Sequence, residues 1–166
     1  RRAEDAQMLL ERGYSAIKLR LHDETMKQDV AQVEAVRAAV GDRMTILVDA
    51  NQAQEPGTPG AERSVVWGYD RALATARELH QLGVAWLEEP LPRYDLDNQR
   101  RLAAATDLPI AGGENNIGLH EFRTMIDTGC YDVLQPDALV CGGISMLRKV
   151  AAYAEMHGKP VAPHHG

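Results

Sequence analysis

Charged residues recur in this sequence where short apolar stretches end, and their types suit one kind of chemistry. "TILVDAN" carries Asp49 and Asn51, "VAWLEE" ends on Glu88 and Glu89, and "PIAGGE" ends on Glu114. "VLQPD" ends on Asp137 and "PVAPH" on His164, while "YSAIKLRL" sets Lys18 and Arg20 opposite Ile17, Leu19 and Leu21. A carboxylate at the end of a buried strand is costly unless something pairs with it. Neighbouring strands lie about 5 Å apart, so Asp49, Glu88 and Glu114 converge if their strands are adjacent. Three such carboxylates repel and raise one another's pKa, and a hard divalent cation removes that problem. All-oxygen ligation suits Mg²⁺, with Mn²⁺ as the alternative, and no thiolate or histidine pair argues for zinc. Asn51 and Glu89 then stand behind the ligands. Lys18 and Arg20 fall on one flank, Asp137 and His164 on the other. An aspartate can orient the imidazole as a base, and the cations can stabilise an enediolate. The layout suits removal of a proton α to a carboxylate.

Each of these residues also has a plainer reading. A carboxylate just after a strand commonly caps the next helix, and Asp42, Asp70 and Asp95 read that way. Lys18 alone would be a snorkelling surface residue. His164 alone would be structural. Gly142-Gly143 reads as a tight turn into a helix rather than a phosphate cradle. The joint pattern is harder to dismiss, because capping does not place a polar group at the same point of six successive strands.

The elements that must position these groups alternate. "RAEDAQMLLERG" is helical and closes on Gly13. The stretch from about Met26 sets Val30, Val33, Val36 and Val40 on one side, with Gly41 behind it. "DRALATARELHQLG" ends at Gly83, and "DLDNQRRLAAAT" forms a short helix. "LHEFRTMIDTG" groups Leu119, Phe122 and Ile126, and "ISMLRKVAAYAEMHG" groups Ile144, Leu147 and Val150. Periods near 3.6 and near 2 take turns, and glycine follows most of the helices. Such alternation predicts an α/β fold of parallel strands. No glycine-rich phosphate loop follows the first strand, which weakens a doubly wound sheet. Ionisable strand ends spaced about 30 residues apart favour a TIM-type (β/α)₈ barrel, of which about six strands are present. The Pro- and Gly-rich loop from Gln54 to Gly68 either folds over the barrel mouth or is a surface insertion.

Composition sets the outer bounds. The chain has 166 residues, 45% hydrophobic and 25% charged, which is ordinary for a soluble domain. A formal charge of -6 argues against a nucleic-acid footprint. No apolar run is long enough to span a membrane, and no secretory signal opens the chain. Cys130 and Cys141 have no metal or redox spacing, so reduced thiols in a cytoplasmic protein are expected. The ends "RRAED" and "PHHG" look cut from something longer.

The ordered set "IKLRL", "LVDANQA", "WLEEPL", "AGGEN" and "QPDALVCGG…PHH" resembles the enolase superfamily, most closely its mandelate racemase branch. The resemblance runs along nearly the whole chain. It implies a modified (β/α)₇β barrel with a capping domain, and reactions that begin with metal-assisted α-proton abstraction. Sites of that superfamily use a Lys or His base with one or two Mg²⁺. Carried over by motif, the metal ligands are Asp49, Glu88 and Glu114. Lys18 and Arg20 occupy the Lys-x-Lys position, and His164 with Asp137 the His-Asp dyad. Arginine at position 20 departs from the pattern, since it does not normally give up its proton. Residues 1–166 are then part of a catalytic C-terminal barrel domain, without the capping domain and the closing strands. The expected activity is Mg²⁺-dependent dehydration of a hydroxy or sugar acid, by an enzyme that is a homo-oligomer when full length. A racemase or epimerase is the alternative. A non-catalytic, metal-stabilised barrel fragment serving as an interaction unit is the third reading.

Overall fold

The structure is a computed structural model that describes residues 1–54 and 65–165. Seven α-helices and five strands alternate among these residues: α1 (Arg2–Glu11), β1 (Ala16–Arg20), α2 (Met26–Val40), β2 (Thr45–Asp49), α3 (Tyr69–Gln81), β3 (Leu87–Glu88), α4 (Leu96–Ala105), β4 (Ile110–Gly112), α5 (Gly118–Thr128), β5 (Val133–Leu134), α6 (Ala138–Cys141) and α7 (Ile144–Met156). A 3₁₀ turn, Gly41–Arg43, joins α2 to β2.

Every strand pair is parallel, and the sheet order is β1-β2-β3-β4-β5. A doubly wound sheet reverses its order at a switch point, whereas a barrel adds each strand beside the last. The sequential order is that of the barrel, and the five strands form an incomplete one. The sixth expected strand is the correction: "PVAPH" joins the sheet only by two isolated bridges, Leu134 with Val161 and Asp137 with His164. Pro160 and Pro163 have no N–H to give a ladder. The segment therefore donates from the residues between and beyond them, Ala162 N–H to Leu134 O at 2.9 Å and His164 N–H to Pro136 O at 3.1 Å, while the Pro160 carbonyl accepts from the Leu134 N–H at 3.0 Å.

Helix α2 is built as its period requires, with Val30, Val33, Val36 and Val40 all buried. Its N-terminus is a capping box in which Thr25 accepts from the Gln28 N–H and the Gln28 side chain from the Thr25 N–H. Helix α5 buries Phe122, Met125 and Ile126 and stops at Gly129, whose φ of 73° belongs to the left-handed region. Helix α7 buries Val150 and Ala154, but Ile144 at its first turn is exposed. Of the three expected caps, Asp95 does cap α4 through the Asn98 N–H. Asp42 lies inside the 3₁₀ turn, and Asp70 lies in the first turn of α3, where Gly68 holds the cap position.

The core lies between the outer face of the sheet and the helices. Leu19, Ile46, Val48, Leu87, Ile110 and Leu134 from the strands meet Val33, Leu79, Leu102 and Phe122 from the helices. At the N-terminal end of the sheet, the Arg37 guanidinium donates to four carbonyls: Leu82 at 2.9 Å, Gly83 at 2.9 Å, Gly41 at 2.8 Å and Met44 at 3.1 Å. It ties the exits of α2 and α3 together. Cys130 and Cys141 are free and buried. No helix among the described residues is long and apolar enough to cross a membrane.

Candidate active site

Strand register places the charged groups at one end of the sheet. Arg20 is level with Asp49, Asp49 with Glu88, and Glu88 with Ala111. Successive side chains alternate between faces, so Lys18, Arg20, Asp49 and Glu88 share the inner face while Leu19, Val48 and Leu87 turn to the helices. Glu114 arrives by a different device. A Cβ at Gly112 would sit 2.6 Å from Tyr131 Cζ, and one at Gly113 2.9 Å from Phe122 Cε1. Gly113 also has a φ of +120°, so the chain turns there as few other residues could and delivers Glu114 to the same mouth.

Lys18 Nζ donates to Glu88 Oε1 at 2.7 Å and lies 3.6 Å from Asp49 Oδ2. Arg20 Nε is 3.9 Å from Asp49 Oδ2, with its side chain 60% exposed. The second oxygen of Glu88 accepts from Trp86 Nε1 at 3.3 Å. On the far flank, His164 Nδ1 donates to Asp137 Oδ2 at 2.8 Å, and its Nε2 is 3.2 Å from Glu114 Oε2. Asp137 also caps α6, because its Oδ1 accepts from the Leu139 N–H at 2.7 Å. One oxygen of Asp137 thus caps a helix and the other pairs with His164.

Behind this row, Asn51 and Glu89 hold φ values of 47° and 44°. The Asn51 N–H donates to Asp49 Oδ1 at 2.9 Å and so orients that carboxylate. Glu89 is fully buried, and its Oε1 accepts from Asn115 Nδ2 at 3.2 Å. The same Asn115 amide reaches Glu114 Oε1 at 3.3 Å. Asn115 and Trp86 were not among the sequence candidates. The signal for Trp86 was its place two residues before Glu88, on the same face.

The electrostatics follow from crowding. Burial raises the pKa of Asp49, and the charge of Glu88 adds to it against Lys18, the Asn51 N–H and Arg20. Burial likewise raises Glu114, with Asp49 and Glu88 reinforcing it and His164 opposing. Glu89 is pushed well above the usual carboxylate range, by burial first and then by Glu114 and Asp49. Burial pulls Lys18 down, but the Glu88 hydrogen bond and the charges of Glu88, Asp49 and Glu114 outweigh it and hold the ammonium up. The hydrogen bond from His164 holds Asp137 below its ordinary range, against a smaller upward push from burial.

Among the described residues, no group of three or more His, Cys, Asp or Glu side chains is arranged to hold a metal ion. Glu88 is turned to Lys18 and Glu114 to His164 instead. The donor set nevertheless fits a hard cation in its chemistry. It is all oxygen, burial and then neighbouring carboxylates raise Asp49 and Glu114 within it, and the buried atoms Asp49 Oδ2 and Glu89 Oε2 have no hydrogen-bond partner. Of the loop expected to reach the mouth or lie on the surface, residues 55–64 are outside the described residues. Its described flank is anchored, since the Trp67 N–H donates to Gln52 Oε1 at 2.9 Å.

The sequence model of the Enolase C-terminal domain-like family matches residues 1–166. The chain belongs to that family. Among relatives of this enolase-type domain is the L-talarate/galactarate dehydratase of Salmonella typhimurium, 36% identical over 154 residues, covering 93% of this chain and 35% of the relative. The N-succinyl-L-Arg/Lys racemase of Bacillus cereus is 32% identical over 156 residues, covering 94% of this chain and 39% of the racemase. The solved structure of L-talarate dehydratase from Polaromonas sp. JS666, complexed with Mg and L-glucarate, superposes with a TM-score of 0.87. It is 34% identical and covers 99% of this chain and 42% of that one. The enolase-type chain thus spans well under half the length of these proteins.

Proposed function

We propose that this chain is part of the barrel domain of a Mg²⁺-dependent acid-sugar dehydratase. A single observation carries the reading: the His164–Asp137 pair and the Lys18–Arg20 pair face each other across buried carboxylates at one end of the sheet. Asp49, Glu88 and Glu114 would hold the cation, with Asn51 and Glu89 behind them. When bound, Mg²⁺ supplies positive charge where an enediolate gains negative charge. Mn²⁺ has the same donor preference and is the alternative ion.

His164 is the base. Asp137 fixes the ring with Nδ1 protonated, which leaves Nε2 to take the α-proton. The electron pair of the C–H bond moves into the enediolate, which Lys18 and Arg20 stabilise as fixed cations. The pair then returns to form the Cα–Cβ double bond as the β-hydroxyl leaves. A protonated group at the mouth, His164 or a neighbour, gives that hydroxyl its proton, so water is lost. The enol product becomes a 2-keto-3-deoxy acid.

The racemase reading is favoured by one observation, the approach of Lys18 from the flank opposite His164. Against it, Lys18 is held as an ammonium by Glu88, and Arg20 stays charged. The substrate is a small hydroxy or sugar acid. The relatives' greater lengths support placing the capping domain and the closing strands elsewhere in the enzyme. The buried free thiols support a cytoplasmic setting. The test is a screen of the full-length enzyme with Mg²⁺ against hydroxy and sugar acids in D₂O. Formation of a 2-keto-3-deoxy acid supports dehydration. Deuterium entering the α-carbon of unreacted acid, with no loss of hydroxyl, supports the racemase instead.

A further inference from the structure

Glu88 is gripped at both oxygens by side chains of different kinds. Lys18 Nζ takes Oε1 at 2.7 Å, and Trp86 Nε1 takes Oε2 at 3.3 Å. We propose that Trp86 is a positioning residue, whose indole N–H fixes the carboxylate plane of Glu88 so that the remaining oxygen is presented to Lys18 and to the bound cation. This rests on the reading of Glu88 as a metal ligand.

The backbone makes the contact a consequence of register. The Trp86 carbonyl accepts from the Val48 N–H at 3.2 Å and the Ala85 N–H donates to Ile46 O at 2.9 Å, so the extended pairing begins before β3 itself. Trp86 and Glu88 are two residues apart in that extended run and face the same way. The pairing is also chemically one-sided. An indole N–H only donates, so it cannot trade roles with the carboxylate. It is neutral, so it orients Glu88 without cancelling the charge a cation needs. Lys18 cannot do this alone. Its side chain is 32% exposed, ends in a freely rotating ammonium and is shared with Asp49. A single such contact leaves the carboxylate plane free to turn. Loss of a group that orients a metal ligand through its second atom typically costs roughly 10- to 100-fold in metal affinity or activity. The chain's other tryptophan, Trp67, lies instead beside Gln52, with the Arg71 guanidinium 4.8 Å from its ring centre.

The experiment uses the full-length protein labelled with 5-fluorotryptophan. The ¹⁹F resonance of Trp86 is assigned by its loss in Trp86→Phe. It is expected to shift in Glu88→Gln without metal, and to shift in the wild type on adding Mg²⁺. By calorimetry, Trp86→Phe should bind Mg²⁺ about tenfold more weakly, while Trp67→Phe should match the wild type. A Trp86 resonance unmoved by Glu88→Gln in metal-free protein overturns the contact. Wild-type Mg²⁺ affinity in Trp86→Phe overturns the positioning role. If the wild type binds no Mg²⁺, the metal reading fails and the cation part of the proposal with it, and the metal-free resonance still decides whether Trp86 holds Glu88.

Discussion

Lys18 Nζ stands 2.7 Å from Glu88 Oε1 and nearer to it than to Asp49 Oδ2 at 3.6 Å. The ammonium thus bridges two carboxylates that would otherwise repel across adjacent strands. Its removal exposes that repulsion and, in the proposed mechanism, takes away a cation from the enediolate.

Replacing Lys18 with Met should therefore lower kcat/KM by about 10²-fold, the usual cost of losing one charge-stabilising donor. Mg²⁺ affinity should hold or rise, because a competing cation has gone. Exchange of the α-proton in D₂O should remain detectable by NMR. Complete loss of exchange with His164 intact would move the base to Lys18.

His164→Asn should slow α-proton exchange by about 10² to 10⁴-fold while leaving Mg²⁺ binding intact by calorimetry. Its partner has a stability signature as well. The His164 hydrogen bond depresses the pKa of Asp137 in the folded state. A depressed carboxylate stabilises the fold above its unfolded pKa, near 3.9, and that contribution disappears as pH falls through the lower folded value. Acid denaturation of Asp137→Asn should lack this component, and superimposable acid transitions would contradict it.

Metal and pH are expected to act in opposition. Asp49, Glu89 and Glu114 all carry raised pKa values, with burial the first cause in each. The folded metal-free protein then binds more protons than the unfolded chain above about pH 4, and its stability from these groups falls as pH rises through the raised values. A bound cation compensates the ionised forms. Thermal melts should show Mg²⁺ raising Tm more at pH 8 than at pH 5. A larger Mg²⁺ effect at the lower pH would argue that these carboxylates do not hold the ion.

Arg37 gives the control at the opposite end of the sheet. Its loss strips hydrogen bonds from four loop carbonyls. Arg37→Ala should cost about 2 kcal/mol by chemical denaturation, with turnover per folded molecule unchanged. A drop in kcat without loss of stability would mean that this end of the sheet is coupled to the mouth.

The sheet and the candidate groups were legible for a local reason. A strand's period of two fixes which face Asp49 or Glu88 takes, and the helix period fixed the buried face of α2. What was not legible depends on relations between elements. The pairing of Lys18 with Glu88 follows from register across three strands. The contribution of Tyr131 follows from its ring filling the space that makes position 112 a glycine. "PVAPH" read as a strand because its alternation was right, but its prolines leave too few donors for a continuous ladder. Asp42 and Asp70 misled in the other direction, because a residue favoured at a cap is also at home in a first turn.

Two non-glycine residues with left-handed backbone, Asn51 and Glu89, follow the fully buried carboxylates Asp49 and Glu88 by two positions and one. Asparagine tolerates that conformation, but for glutamate it costs on the order of 1 kcal/mol, added to the burial of a carboxylate whose Oε2 has no donor. Under the proposed function, the mouth is thus where stability and catalysis pull apart. Selection of this sequence for thermal tolerance alone would be expected to replace Glu89 early, with glycine relieving both burdens, and to yield a sturdier protein that has begun to lose its chemistry. Laboratory evolution with and without an activity screen would separate the two pressures at that single codon.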